Sequence, residues 1–564
     1  MTDYSILKSG TDIRGRAIAS DTEPAILTES AVADFACAFA LWLTRRTGKP
    51  RCKIAVGRDS RLTGEKFART IFSALRTSGQ EIFDCGLFST PASYLVTKFP
   101  TIAADGSIMI TASHHPKHIN GLKFFTADGG VNGAELDEII ALAEAGEKLP
   151  NSGSYSSVVK RDCLRLYCDT LTDAIRKGTG LFLPLKGMKI AVDAGHGAGG
   201  FFATRVLQPL GADISPSQFL EPDGNFPAHS PNPENKEAME SLKNRVLETG
   251  ADLGVIFDAD VDRCGLVAAD GTQINRCALI ALAAAIILPE HQGATIVTDS
   301  VTTEGLRTFI ENHGGVQLRF KRGYRNVIDE AKLLCDEGYD APLAIESSGH
   351  AAFAEHYFLD DGAYFIAKIL IVLADLRRKN RTLTDLIAEL EEPLEEADIR
   401  LNFTCKDFRI VADKIIERLT GLSERLLKLS SDNYEGVRAY ISNAKAYFIV
   451  RTSVHDPVLP IYIEANKQGG ALSAAKFLYS FLSGFNGLDC TPLQNYIEEQ
   501  TQAQAQAEAE AATQAEEEKA ADASEGEYTF EYTDAPQDVE EQPADSDWSD
   551  DYTEEGSQSD GAAE

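Results

Sequence analysis

Thr111-Ala-Ser-His-His-Pro116, continued by Lys117 to Lys123, is the stretch from which the rest of the chain can be read. Pro116 has no amide donor and restricts His115, so the hexapeptide cannot lie inside a helix. Ser107-Ile-Met-Ile110 before it and Leu122-Lys-Phe-Phe125 after it have strand character, with Asn120-Gly121 as a turn signal between them. The spacing predicts a loop between two strands that presents one hydroxyl, Ser113, with His114, His115, Lys117, His118 and Lys123 close in sequence. Upstream, Lys53-Ile-Ala-Val-Gly57 reads as a buried strand opening onto Arg58-Asp-Ser-Arg61. Helical spacing flanks it at Ala31 to Arg46 and Gly64 to Ser78, and Ser89-Thr-Pro91 reads as a turn. Strands alternating with helices point to α/β layers.

The pattern then restarts twice. Gly187 to Asp193 reads as a strand, Ala194 to Gly200 as a glycine loop, Phe201 to Leu210 as a helix and Leu253 to Phe257 as a second strand. Ala294-Thr-Ile-Val-Thr298 begins a third unit, and the three starts resemble weak repeats of one α/β unit. Beyond about Glu392 glycines thin out until Tyr447-Phe-Ile-Val450. These shifts predict domains over 1–155, 156–272, 273–388 and 389–490, with a tail over 491–564, and a chain ending near Leu493 is expected to keep its activity.

A chain of 564 residues exceeds one ordinary core, so several domains are expected. Its net charge of −32 is uneven: from Thr501 onward 21 acidic residues face Lys519 alone, a net of −20 that leaves −12 for the first 500. An acidic body argues against duplex nucleic acid as a partner. Ten scattered cysteines without a C-x-x-C pair fit free thiols in a reducing compartment. The apolar run Ala278 to Leu288 is too short to span a bilayer, and Met1 to Gly10 lacks the core of a signal peptide. The expected location is the cytoplasm, away from membranes. The tail has too little apolar content to fold alone, apart from helical tendency over Thr501 to Ala521. Its Phe530, Tyr532 and Trp548 sit among acids, either as a solvated segment or as a binding segment for an unknown basic partner.

Asp258, Asp260 and Asp262 alternate directly after a strand, which in extended backbone turns three carboxylates to one side. At around 4 Å each like-charged pair costs about 4 kcal/mol at an effective dielectric near 20, so a bridging cation is expected. All-oxygen ligation favours Mg²⁺ or Ca²⁺. An EF-hand is excluded, because Arg263 stands where that loop needs Gly and Ala269 where it needs Glu. Arg263 is instead placed to hold an anion near the metal. Gly195-His-Gly-Ala-Gly-Gly200 satisfies G-x-G-x-x-G, so a dinucleotide site competes with plain close packing there. Glu346-Ser-Ser-Gly-His350 could grip vicinal sugar hydroxyls or simply cap a turn. Arg451-Thr-Ser-Val-His-Asp-Pro457, between two strands, is either a phosphate cradle or a hairpin turn.

Together these four loops resemble the α-D-phosphohexomutase superfamily. In its motifs T-[AG]-S-H-N-P carries a phosphoserine, D-x-D-x-D-R holds Mg²⁺, G-E-x-S-G-H selects the sugar and R-x-S-x-T-x-P binds the substrate phosphate. Here they stand in that order at Thr111–Pro116, Asp258–Arg263, Glu346–His350 and Arg451–Pro457, within a resemblance over about residues 5 to 485. Thr11-Asp-Ile-Arg-Gly15 and Pro222-Asp-Gly-Asn-Phe-Pro227 are similar too. The departures are His115 for Asn, Ile345 for Gly, Tyr324 for a frequent His, and His455-Asp456 in the last loop.

The resemblance implies three related mixed α/β domains and a C-terminal α+β domain around a central cleft, with a disordered acidic tail. It implies a phosphohexomutase that interconverts hexose 1-phosphate and hexose 6-phosphate, of mannose and/or glucose, through a phosphoserine and a bisphosphorylated sugar. The roles carried over are catalytic for Ser113, Lys123, Arg14 and His114, and metal-binding for Ser113, Asp258, Asp260 and Asp262. Arg263, Glu346, Ser348, His350, Arg451, Ser453 and His455 would bind substrate. Mg²⁺ is the implied cofactor and a hexose 1,6-bisphosphate the activator. Phosphoglucosamine mutase, which also uses Glu-x-Ser-Gly-His, and a catalytically weak sugar-phosphate-binding regulator are the alternatives.

Overall fold

Among the described residues four sheets follow one another along the chain, and in the first three the neighbouring parallel strands deliver their carboxyl ends side by side. The computed structural model of the protein describes residues 3–153, 156–422, 426–453 and 457–525. In the first sheet Lys53–Arg58 lies parallel to Gly106–Ile110, with Arg58 opposite Ile110. Gly106–Ile110 then pairs antiparallel with Ile119–Thr126, so the Ser113 loop joins two neighbouring strands as expected. In the second sheet Ile190–Asp193 and Leu253–Phe257 are parallel, and in the third Thr295–Asp299 and Leu343–Ile345 are. Loops at the carboxyl ends of adjacent parallel strands are where α/β sheets place their ligands. Leu253–Phe257 and Cys264–Ala268 are buried at every residue, the signature of a sheet covered on both faces.

The fourth sheet is built differently. Glu395–Phe403 alternates buried and exposed residues, and it pairs antiparallel with Val458–Ala465, as do Val437–Ile441 and Ala446–Val450 with each other. One face covers its own core, together with the helices Phe408–Thr420 and Gly470–Leu482. The protein is thus three mixed α/β units and an α+β unit.

Several local expectations change. Ser89 caps the helix Thr90–Leu95, whose Pro91 sits where no amide donor is needed, so that segment is a helix start and not only a turn. The expected helix Phe201 to Leu210 is a π-turn over Phe202–Leu207 that tightens to a 3₁₀ turn at Gln208–Leu210, where Pro209 cannot continue the ladder. The alternating aspartates are not extended: residues 259–262 form a turn, and Val261 has φ +69°. The carboxylates converge because the chain folds back on itself.

The helix Thr491–Glu525 takes up the first part of the tail. Leu493 is fully buried, and Tyr496 and Ile497 pack on the same core, so a neutral truncation must fall after Gln500 and not at Leu493. Phe530, Tyr532 and Trp548 lie outside the described residues. All ten cysteines are free thiols. Among the described residues no helix is long and apolar enough to cross a membrane.

Candidate active site

Ser113 is buried and held at φ +51°, a backbone conformation that few non-glycine residues adopt. What holds it there is Arg61. This guanidinium, 2% exposed, donates to the carbonyls of Ser113 and His115, the latter at 2.6 Å. It also donates to the carbonyls of Pro116 at 3.0 Å and Ile119 at 2.7 Å. Asp59 anchors Arg61 at 3.2 Å and accepts from the Thr111 hydroxyl at 2.7 Å, while the Ser113 amide donates back to Thr111 Oγ1 at 2.9 Å. Burial pushes the Asp59 carboxyl up to about 6 against the pull of Arg61. Sequence reading placed Arg58-Asp-Ser-Arg61 at a strand end without seeing this role. The available signal was a buried strand opening onto charges next to the Ser113 loop. Arg61→Met keeps the bulk but strands four carbonyls and Asp59, so a loss of about 3–5 kcal/mol is expected in a urea melt, with a fall in turnover.

The Ser113 hydroxyl donates to Asp258 Oδ2 at 2.6 Å, joining the first sheet to the second. Asp258, Asp260 and Asp262 are all buried, each with a ligand atom within 4.8 Å of the others'. Burial, then Asp262 and Asp260, hold the Asp258 carboxyl well above the usual range. Among the described residues Asp260 Oδ1 and Asp262 Oδ1 have no hydrogen-bond partner, an arrangement that fits a cation with oxygen ligands. Thr90 fixes the turn, its amide donating to the Asp260 carbonyl at 2.9 Å and its hydroxyl to Asp260 Oδ2 at 2.5 Å.

Lys123 reaches Asp262 at 2.6 Å and Asp260 at 3.2 Å. Burial works to discharge it, but Asp260, Asp262 and Asp12 outweigh that and keep it an ammonium. Arg14 pairs with Asp12 at 2.8 Å, and its buried Nε has no hydrogen-bond partner among the described residues. His114 Nδ1 lies 3.4 Å from Ser113 Oγ, and Arg263 and burial push its imidazole far down, so it is neutral. Burial with Arg14 and Arg61 lowers His115 to about 4.

Backbone contacts bring the third sheet to the second. The Cys264 amide donates to the Gly349 carbonyl at 3.2 Å and the Gly362 amide to the Val261 carbonyl at 3.2 Å. Gly349 has φ +92°, and a side chain there would meet the Cys264 oxygen at 2.5 Å. Arg263 therefore lies against His350 (3.2 Å), with Ser113 Oγ at 3.4 Å and Glu234 at 3.9 Å. His350 Nδ1 is 2.8 Å from Ser348 Oγ and 3.4 Å from Glu346, whose Oε1 accepts from the Gly323 amide at 2.6 Å. Tyr324 packs against the His350 ring at 5.6 Å and pairs with the Thr11 hydroxyl at 2.8 Å.

Arg451 stands on the fourth sheet, 3.0 Å from Glu435. A relay of charges joins it to Ser113: the Arg322 amide donates to Glu435 at 2.8 Å, the Arg322 guanidinium lies 3.5 Å from Glu234, and Glu234 faces Arg263. Arg451, Arg322, Glu234 and Ser347 line a cavity of about 450 Å³. Ser453 donates its amide to Val458 at 3.4 Å, while His455 lies outside the described residues. Ser113, Lys123, Arg14, His114, the three aspartates, Arg263, Glu346, Ser348 and His350 thus gather at one place, with Arg451 across the cleft.

The glycine loop does not serve a dinucleotide. The Ala198 amide is spent on the Ala259 carbonyl at 2.8 Å. A side chain at Gly197 would meet the Ala259 backbone at 2.7 Å, and one at Gly200 the Leu220 oxygen at 2.3 Å. These glycines let the aspartate turn and the Leu220 segment pack close.

Three sequence profiles match the chain in order. They are described as phosphoglucomutase/phosphomannomutase α/β/α domain I over residues 6–149, domain II over 166–271 and domain III over 275–394. A phosphomannomutase/phosphoglucomutase of Pseudomonas syringae pv. tomato is 31% identical over 436 residues, 76% of this chain and 88% of its own. A phosphoglucomutase of Neisseria gonorrhoeae is 29% identical over 417 residues, 74% and 85% of the two chains. Among solved structures, a phosphoglucomutase/phosphomannomutase family protein of Burkholderia thailandensis superposes with a TM-score of 0.69 at 25% identity, covering 86% of this chain and 99% of that one.

Proposed function

Since this chain belongs to the phosphoglucomutase/phosphomannomutase family, within the α-D-phosphohexomutase superfamily, we propose that it interconverts the 1- and 6-phosphates of mannose and/or glucose through Ser113. The observation that carries this reading is the Ser113 hydroxyl 2.6 Å from a buried aspartate trio with two unsatisfied oxygens. In the forward half-reaction the Oγ–P bond of phosphorylated Ser113 breaks as the free sugar hydroxyl forms its own O–P bond. The bisphosphorylated sugar then turns over and returns its other phosphoryl group to Ser113 Oγ. Asp258, Asp260 and Asp262 would hold Mg²⁺, which when bound supplies positive charge beside the transferring oxygens. Without that charge three carboxylates would repel a phosphoserine carrying about −1.5 to −2.

Lys123, kept as an ammonium, stabilises the phosphoryl oxygens and donates to the oxygen that leaves. Arg14 has a spare donor to aim at the same group, and His114, 3.4 Å from Ser113 Oγ, is the third candidate for proton transfer, although Arg263 and burial oppose its taking a charge. Glu346, Ser348 and His350 would grip sugar hydroxyls, and Arg263 the nearer phosphate. Arg451, Ser453 and His455 would bind the distal phosphate in both orientations of the intermediate. A hexose 1,6-bisphosphate would prime Ser113, and the reaction belongs in the cytoplasm.

A coupled assay on mannose-, glucose- and glucosamine-1-phosphate, with a bisphosphate activator, tests the reading. Conversion of the first two supports it, preference for the amino sugar makes the protein a phosphoglucosamine mutase, and no conversion of any supports a regulator. Ending the chain after Gln500 should leave kcat within about twofold, because that cut keeps Leu493, Tyr496 and Ile497, which pack in the fourth core. Steady-state kinetics on the truncated chain check this.

A further inference from the structure

We propose that the Glu435 carboxylate occupies the phosphate position of the cleft and is displaced from it when a sugar phosphate binds. The inference rests on the assignment of Arg451 to the substrate phosphate. Glu435 Oε1 accepts from Arg451 Nη1 at 3.0 Å, while Oε2 accepts from the Arg322 amide at 2.8 Å and the Ser300 hydroxyl at 2.9 Å. One carboxylate thus collects a guanidinium, a backbone amide and a hydroxyl, supplied from two different sheets. That donor set is what a phosphoryl group requires. A terminal phosphate brings three oxygens and up to two charges to the same donors, where a carboxylate brings two oxygens and one charge.

The surroundings favour an exchange of anions. The Glu435 and Arg451 side chains are only 11% and 13% exposed, so their pairing is worth more than that of a solvated surface pair. The neighbouring cavity of about 450 Å³ is in the size range of small-molecule sites. Gly436 next to Glu435 has φ +72°, and a side chain there would meet the Val450 oxygen at 2.1 Å and Arg451 Cα at 2.7 Å. The backbone beside Glu435 is therefore pinned against Arg451, and the carboxylate leaves by rotating its side chain. Two consequences follow. An uncharged hexose cannot displace it, so Glu435 adds selection for a phosphorylated substrate. The donors of the third and fourth sheets also stay together when no substrate is present.

The test is calorimetric titration of inorganic phosphate and glucose 1-phosphate into the full chain carrying Ser113→Ala, which prevents turnover. Adding Glu435→Gln should tighten both ligands about tenfold, adding Arg451→Met should weaken both at least about tenfold, and in the combined variant the gain from Glu435→Gln should vanish. Glu435→Ala, made in parallel, should show the same sign if the isostere folds poorly. Unchanged or weaker binding by both Glu435 variants, with Arg451→Met still weak, overturns the displacement and leaves the Arg451 assignment standing. Unchanged binding by Arg451→Met overturns that assignment itself, and the displacement with it.

Discussion

Replacing Ser113 by Ala should lower kcat roughly 10³-fold or more, because the proposed covalent intermediate cannot form without that hydroxyl. Its oxygen lies between Asp258 at 2.6 Å and Arg263 at 3.4 Å, where a phosphoryl group on it would face both the trio and a guanidinium. The variant should still fold. The loop conformation comes from Arg61 and its four carbonyl acceptors, none of which uses the Ser113 side chain. Alanine tolerates φ +51° no worse than serine, so the thermal midpoint should move by only a few degrees. Loss of activity with an intact melt separates chemistry from collapse. Turnover within about tenfold of wild type would remove Ser113 from the mechanism.

Removing the divalent cation proposed for the aspartate trio should have the second largest effect, and its sign in stability is diagnostic. With chelator present, turnover should stop. The three carboxylates then repel one another, at up to about 4 kcal/mol per fully charged close pair at a dielectric near 20, a cost that Lys123 and the raised Asp258 carboxyl offset only in part. Asp260→Asn removes two of those three repulsions while leaving the Thr90 hydroxyl with an acceptor. In chelator this variant should therefore melt above the wild type, and in millimolar Mg²⁺ below it, with kcat reduced about 10²–10³-fold. Melting curves of both proteins in both buffers check the crossing. Parallel shifts with no change of order would mean that the aspartates hold no ion.

How much of this was visible in the sequence depended on how locally each feature is encoded. The strand ends and the loops after them were legible, because an apolar run followed by Ser113, by Asp258 to Asp262 or by Glu346 to His350 is contiguous in the chain. Their convergence was not. Arg61 reads as one more surface charge until its acceptors, more than fifty positions away, close around it. Glu435 carries no motif, since its three donors come from residues 300, 322 and 451. The aspartate turn was expected to be extended because periodicity alone cannot register Val261 in the left-handed region. The G-x-G-x-x-G match left two readings open, since glycines chosen for close backbone packing look identical in sequence to glycines that approach a pyrophosphate, and the close contacts at Gly197 and Gly200 favour packing.

The central claim is that one phosphoryl group passes between sugar and Ser113, and intact-protein mass spectrometry with site mapping tests it most directly. Incubation with a hexose 1,6-bisphosphate and Mg²⁺ should add a single phosphoryl group at Ser113, and a later excess of glucose or mannose 1-phosphate should take it off. A chain that stays unmodified, carries the group on another residue, or keeps it through the sugar chase would contradict the account.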